Sequence, residues 1–286
     1  RGLKYEHLTQ KENDEKLRNP KVIGKFGIGL KDALATFDRK GVKILIKSRY
    51  GDITISKSEK HDFKDIVTLH ADISPPLDPN FVGTELIIEG CSDSDMEKAK
   101  DLFLIFSGDK VLEDTEYGKV LEKKEDVGRI YINGVKIAEE VNFLFSYNIT
   151  RLNSAIKKAL NRERTNVGRT AYSGIVKSIL LSCKSKVVAE RLVNDLKGYQ
   201  TGTIHDEVNW TDVSIYACRL LNSFEKTVFF TSSELIRSNN MVDEARRGGY
   251  KIVTIPDSIR EKIRGESDVS GNPIRDLDRF STEYIE

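Results

Sequence analysis

Apolar and polar residues alternate with a period of two through four stretches of the first third of the chain, residues 42–47, 52–56, 66–70 and 84–88. Period two is the signature of strands with one buried face, so these stretches predict an antiparallel meander packed on one side. Turn formers separate them at Tyr50-Gly51-Asp52 and in the proline-bearing run 74–80. The spacing becomes helical ahead of the meander, over 29–37, and after it, over 93–106, behind an Asp or Ser cap. The first part of the chain therefore reads as a mixed α/β layer.

Residues 108–126 are charged and poor in large apolar side chains apart from Val111, Leu112, Val120 and Leu121, which places a domain boundary there. Strands begin afresh at 128–132 and 135–138. They flank Asn133-Gly134, the dipeptide that best tolerates positive φ at both central positions of a hairpin turn. A third strand is expected at 143–147. It precedes a helix over 151–163 with Leu152, Ala155, Ile156, Ala159 and Leu160 on one face and Arg151, Lys157, Lys158 and Arg162 on the other. Helices follow at 171–183, 187–196 and 212–222. A strand at 228–230, a helix over 233–247 stopped by Gly248-Gly249 and a strand at 251–255 form a unit that makes a parallel pair. The expected plan is a first domain over 1–122, a second α/β domain over 123–264 and a polar tail over 265–286.

Composition narrows the classes. With 286 residues the chain has room for two domains, and 38% hydrophobic residues beside 32% charged ones give a buried core under a charged surface. No apolar run approaches the roughly 20 residues of a membrane-spanning helix, and Arg1-Gly2-Leu3-Lys4 lacks the apolar core of a signal peptide. No membrane partner is expected. Cys91, Cys183 and Cys218 are far apart and odd in number, which predicts neither a disulfide framework nor a zinc site and points to a reducing cytoplasm. Lysine plus arginine total 46 against 45 acids, so any basic binding surface has to be local.

The most informative segment is 22–33, Val-Ile-Gly-Lys-Phe-Gly-Ile-Gly-Leu-Lys-Asp-Ala, with three glycines crowded ahead of an apolar helix. Glycine lets the backbone turn sharply and approach a ligand, and a helix start offers unpaired N–H groups to an anion. A dinucleotide fold needs a buried strand ahead of such a cluster, whereas here the polar run 10–20 precedes it; a Walker loop needs Gly-Lys-Ser/Thr at its end. A bare strand-to-helix turn with no ligand fits the glycine pattern as well.

Residues Ile23 to Lys31 resemble the second glycine motif of the GHKL ATPases, the group of gyrase B, the ninety-kilodalton heat-shock chaperones, histidine kinases, MutL and the MORC proteins. Arg1-Gly2-Leu3 is similar to the tail of the family's DxGxG motif, and Val82-Gly83-Thr84-Glu85-Leu86 to its later Gly-Thr strand. The charged segment of about 4–22 stands where the family carries its ATP lid. The resemblance implies a two-layer Bergerat-type sandwich, incomplete at its N-terminus, and ATP with Mg2+ as cofactors. It implies nucleotide contacts by Gly2, Gly24, Lys25, Phe26, Gly27, Ile28, Gly29, Leu30 and Lys31, with Thr84 supporting the adenine pocket. The family's catalytic glutamate, magnesium-binding asparagine and adenine-reading aspartate lie upstream of Arg1, so the chain is expected to be a piece of a longer ATPase, inactive in hydrolysis and weak in ATP binding by itself.

More loosely, the second domain resembles the family's transducer, which sends a basic residue to the terminal phosphate. Arg162 and Arg164 are the candidates for that phosphate-sensing role, then Arg169, since a guanidinium grips phosphate in two directions; a solvated basic helix end is the plainer reading of them. The implied function is a nucleotide-driven conformational or dimerisation switch, working as a homodimer on a protein client, on DNA or on a partner in antiviral defence. The alternatives are a non-catalytic interaction scaffold and a phosphotransferase of the histidine-kinase type. Elsewhere, His205-Asp206-Glu207 groups three metal-ligand types, but neighbours in sequence diverge, and a loop is the plainer reading. Trp210 is expected to anchor the second core, and Cys183 and Cys218 to be buried thiols. The basic face at Lys157, Lys158 and Arg162 is a candidate nucleic-acid contact or a solvated surface.

Overall fold

The computed structural model describes residues 2–8, 28–60, 63–162 and 167–285. The chain is mixed α/β and divides into two compact units, Arg1–Asp101 and Leu102–Glu286. The first holds a 3-10 turn (Tyr5–Leu8), helix α1 (Ile28–Arg39), strands β1 (Lys43–Ser48), β2 (Gly51–Lys60), β3 (Phe63–Ser74) and β4 (Thr84–Glu89), and helix α2 (Asp93–Asp101). The strands are antiparallel in the order β3-β2-β1-β4. The expected meander is therefore modified, because β4 returns to pair with β1, and the proline-bearing connection supplies the length for that crossing.

Register assigns the faces. Ile46 stands opposite both Ile53 and Leu86, and Ile44 opposite Ile88. Residues opposite one another in an antiparallel pair share a face. Onto that face α1 packs Leu34 and the 3-10 turn packs Leu8, against Ile44, Ile46 and Ile53, with Leu3, Leu30, Phe37 and Ile55 closing round them. The reverse face pairs Leu45 with Ile87 and carries the Lys47–Glu85 ion pair at 3.5 Å.

The second unit begins earlier than the expected boundary within 108–126. Strands β5 (Val111–Asp114) and β6 (Gly118–Leu121) occupy that charged stretch and join β7 (Gly128–Ile132), β8 (Val135–Glu140) and β9 (Ser146–Ile149) in a sheet of order β5-β6-β9-β7-β8. Their charges are partnered: Lys119 pairs with Asp114 at 3.1 Å, and Glu113 accepts the N–H groups of Lys184 and Ser185 at 2.6 and 2.7 Å. The hairpin at Asn133-Gly134 forms as expected, with φ of 47° and 83° at the two residues. The helix expected over 93–106 breaks at Leu102-Phe103. There Lys136 N–H donates to Leu102 O and Leu104 N–H to Gly134 O, both at 2.8 Å, tying the chain to the edge of β8.

Helices α4 (Ser154–Arg162), α5 (Arg169–Leu181), α6 (Lys186–Asp195), α7 (Asp206–Asn209) and α8 (Thr211–Phe224) follow a short α3 (Leu104–Ser107) and the sheet. Then β10 (Thr227–Phe230), β11 (Lys251–Thr254) and β12 (Arg275–Asp276) form a parallel sheet of order β11-β10-β12. The predicted parallel pair is thus present, while the helix between its strands is two, α9 (Ser232–Arg237) and α10 (Asn239–Arg247), separated by Ser238 at φ −122°, ψ 44°. The expected polar tail is structured: after α11 (Asp257–Ile263), β12 adds to β10, and α12 (Leu277–Ile285) buries Phe280 against Val228, Phe230, Val242 and Ala245. One apolar stripe in an otherwise polar helix suffices for docking, and overall composition does not register it. No helix among the described residues is long and apolar enough to cross a membrane.

Candidate functional site

Two segments that the sequence reading links only through a resemblance meet in the first unit. The Leu3 N–H donates to Thr84 Oγ at 2.9 Å across 81 positions of sequence. Ser48 Oγ donates to Leu3 O at 2.6 Å and accepts the Tyr50 N–H at 3.1 Å. Thr84 and Ser48 are paired in register where β4 begins and β1 ends, so both flank the irregular segment 2–4. Gly2 lies so close that a Cβ there would come within 2.7 Å of Gly83 O, and Gly83 itself sits at φ 116°, where glycine is favoured. Ser48 was not singled out from sequence. It continues the buried parity of Ile44 and Ile46 with a polar residue, and a hydroxyl at a core position signals a specific hydrogen-bond partner.

The glycine cluster runs into α1, which starts at Ile28 with no acid in its first turn. Gly29, Leu30 and Lys31 are in that turn. Leu30 packs on the same core as Leu3, while Lys31 is exposed and pairs with no acid among the described residues. Gly24, Lys25, Phe26 and Gly27, and most of the lid segment, lie outside the described residues; of Ile28 only the backbone is within them.

In the second unit, the side chain of Arg162 and the whole of Arg164 lie outside the described residues. Arg169 opens α5 and is engaged: it bonds Asp206 at 2.5 Å, pairs with Glu140 at 3.4 Å and lies 4.9 Å from the Phe143 ring centroid. It is a structural clasp here rather than a free phosphate contact. The triplet 205–207 likewise spreads its side chains to three places. His205 Nδ1 meets Asp195 Oδ at 2.7 Å, Asp206 takes Arg169 and the Asn142 amide, and Glu207 turns inward. No group of three metal-ligand side chains forms among the described residues.

Glu207 is fully buried and accepts the Leu144 N–H at 2.9 Å on both oxygens, the Phe145 N–H at 3.2 Å and the Tyr147 hydroxyl at 2.9 Å. Burial pushes its carboxyl above the usual range against the opposing effect of those donors. It raises the Tyr147 hydroxyl well above its ordinary value too, by burial first and then by the charge of Glu207. The carboxylate completes the backbone bonding of residues 143–145, which β9 does not include. Trp210 packs edge to face on Phe143, ring centroids 6.2 Å apart, at the rim of this core. Cys183 and Cys218 are buried as expected.

The family described as the Mycoplasma pneumoniae MPN635 N-terminal domain matches residues 94–186. An uncharacterized protein of Mycoplasma pneumoniae is 38% identical over 190 residues, which cover 65% of this chain and 75% of that protein. The chain belongs to that protein's family. A second uncharacterized Mycoplasma pneumoniae protein is 28% identical over 167 residues, 57% of this chain and 46% of its own length. The family match spans the whole five-stranded sheet with α4 and α5, including Glu140 and Arg169, and leaves the glycine cluster outside.

Proposed function

We propose that this chain is the nucleotide-responsive part of a GHKL-type ATPase with a Bergerat-like first unit and a transducer-like second unit, acting as a conformational or dimerisation switch. The observation that carries the reading is the Leu3–Thr84 hydrogen bond, which joins the first glycine segment to the Gly-Thr strand at one end of the sheet. Two features of the chain fit a nucleotide. Gly2 lets its backbone lie against Gly83 O, where a Cβ would come within 2.7 Å, and α1 opens with a free lysine and no carboxylate in its first turn, the electrostatics that suit phosphate. ATP, when bound, supplies the phosphate whose presence or loss the switch reads.

The chain's own residues would then divide the work. The N–H groups at the start of α1 and the Lys31 ammonium hold phosphate charge. Thr84 and Ser48 fix the backbone of residues 2–4 against the sheet, so a ligand touching Leu3 finds it already placed. Arg162 or Arg164 would report the terminal phosphate to the second unit, Arg169 being committed to Asp206 and Glu140. Differential affinity for the two nucleotide states is what moves such an equilibrium.

Titration of the chain with ATP, followed by backbone amide NMR, tests the proposal because it detects weak binding. Saturable shifts at Gly2–Lys4, Gly29–Lys31 and Thr84 are expected, and Lys31→Met weakens the affinity about tenfold by removing a charge-assisted phosphate contact. No shift at millimolar ATP, or shifts unaffected by Lys31→Met, would overturn it.

A further inference from the structure

On the other side of segment 3–6 from Thr84, toward β2 and β3, a cleft of about 280 Å3 is lined by Leu3, Lys4, Tyr5, Tyr50, Ile53 and Ile73. Ile53 and Ile73 are paired in register and supply an apolar floor, yet Ile73 is 51% exposed, and the flanking Tyr5 and Tyr50 are 59% and 50% exposed. An apolar floor between two half-exposed tyrosines is the form of a small-ligand site more than of plain surface. Lys4 is the one cation of the wall, and Arg49 stands beside it at the Tyr50 ring. The Lys4 ammonium and the Arg49 guanidinium lie 5.0 and 5.8 Å from the Tyr50 ring centroid, and neither has a carboxylate partner among the described residues. Glu6 is the one acid on the wall, and it has a partner of its own. The wall is also pre-formed: Leu3 is held at both N–H and C=O, and the Lys4 N–H donates to His7 Nδ1 at 2.9 Å.

We propose that this cleft is a second ligand site, separate from the Thr84 end of the sheet, for a small free nucleoside monophosphate or its like, a single planar ring joined to a phosphate. The ring lies on Ile53 and Ile73 beside Tyr5, and the phosphate dianion meets Lys4 and Arg49. Two unpaired cations favour a doubly charged group over a carboxylate, and the volume admits one ring rather than a run of stacked bases.

The test uses the full chain carrying 3-fluorotyrosine, with the Tyr5 and Tyr50 signals assigned through Tyr5→Phe and Tyr50→Phe. Thymidine 5′-monophosphate is the probe, since a pyrimidine lacks the purine that the proposed ATP site would read. Saturable shifts of the Tyr5 and Tyr50 signals are expected. Thymidine alone and inorganic phosphate alone should bind about tenfold more weakly or less, and so should the probe to Lys4→Gln/Arg49→Gln, both exposed positions. Lys31→Met should leave the binding unchanged, which separates this site from the ATP proposal. Absence of shifts, equal binding of thymidine, or loss of the shifts in Lys31→Met overturns the assignment. Binding of a thymidine pentanucleotide more tightly than the monophosphate overturns it in favour of a nucleic-acid strand.

Discussion

Replacing Glu207 separates its two opposed contributions. Glu207→Leu removes the acceptor of two backbone N–H groups and the Tyr147 hydroxyl, all in the interior. Stranding a buried donor costs about 1–3 kcal/mol, so three of them cost about 3–6 kcal/mol once partial relaxation is allowed. Glu207→Gln keeps one oxygen for those donors but puts an NH2 where the second stood, so it should cost about 1–3 kcal/mol, the penalty of a buried donor left unpaired, and less than Glu207→Leu. The pH dependence carries the sign. Because the folded-state carboxyl is raised above its unfolded value, the native state holds the proton more tightly, and stability from this group falls as pH rises from the ordinary carboxylate range through the folded pKa. Glu207→Gln abolishes that slope. Urea unfolding of the three proteins across this pH range gives the difference, and amide exchange at Leu144 and Phe145 gives a local readout that does not depend on two-state behaviour. If Glu207→Leu is as stable as Glu207→Gln, or exchange at those amides is unaltered in it, the anchoring role is wrong.

Three further outcomes follow from the packing. Phe280→Ala should destabilise the C-terminal parallel sheet by about 3–5 kcal/mol and speed amide exchange across 228–230, because the ring is buried against that strand. In a timed thiol titration of the native chain only the exposed Cys91 should react quickly; Cys183 and Cys218 are buried, with the Cys218 thiol pushed up to about 12, and should react on unfolding. Asp268 titrates in the opposite sense to Glu207. Burial alone would raise it, but donors from Asn222, Asn272 and Ser270 hold its carboxyl below the usual range, so it stabilises the fold above that range and the contribution is lost as pH falls through the folded pKa. Asp268→Asn should therefore flatten the acid limb of a stability–pH curve measured by thermal unfolding.

What the sequence disclosed and what it hid follow from the range of the interactions. The strands of the first unit were legible because Ile44, Ile46 and Ile53 face one side and Lys47 and Glu85 the other, a local pattern. The hairpin was legible because Asn133-Gly134 states its own backbone angles. Strands β5 and β6 were hidden: Asp114, Lys119 and Glu113 look like solvated charge until their partners, up to 72 positions away, are known. The docking of α12 was hidden for the same reason, Phe280 finding its place only against Val228 and Phe230. At the candidate site the glycines and Thr84 were readable by resemblance, whereas Ser48 needed the register of β1 and β4. Glu207 looked like one member of a polar triplet, since nothing local says which of three adjacent side chains turns inward.

The placement of β10 bears on how the chain is made. Its residues Thr227–Phe230 are entirely buried, and both neighbours, β11 and β12, are synthesised after it, the second some fifty positions later. On the ribosome this short apolar strand waits with two open edges, the condition under which nascent chains pair with one another. The arrival of Arg275–Asp276 beside Val228 and Phe229 closes the last edge.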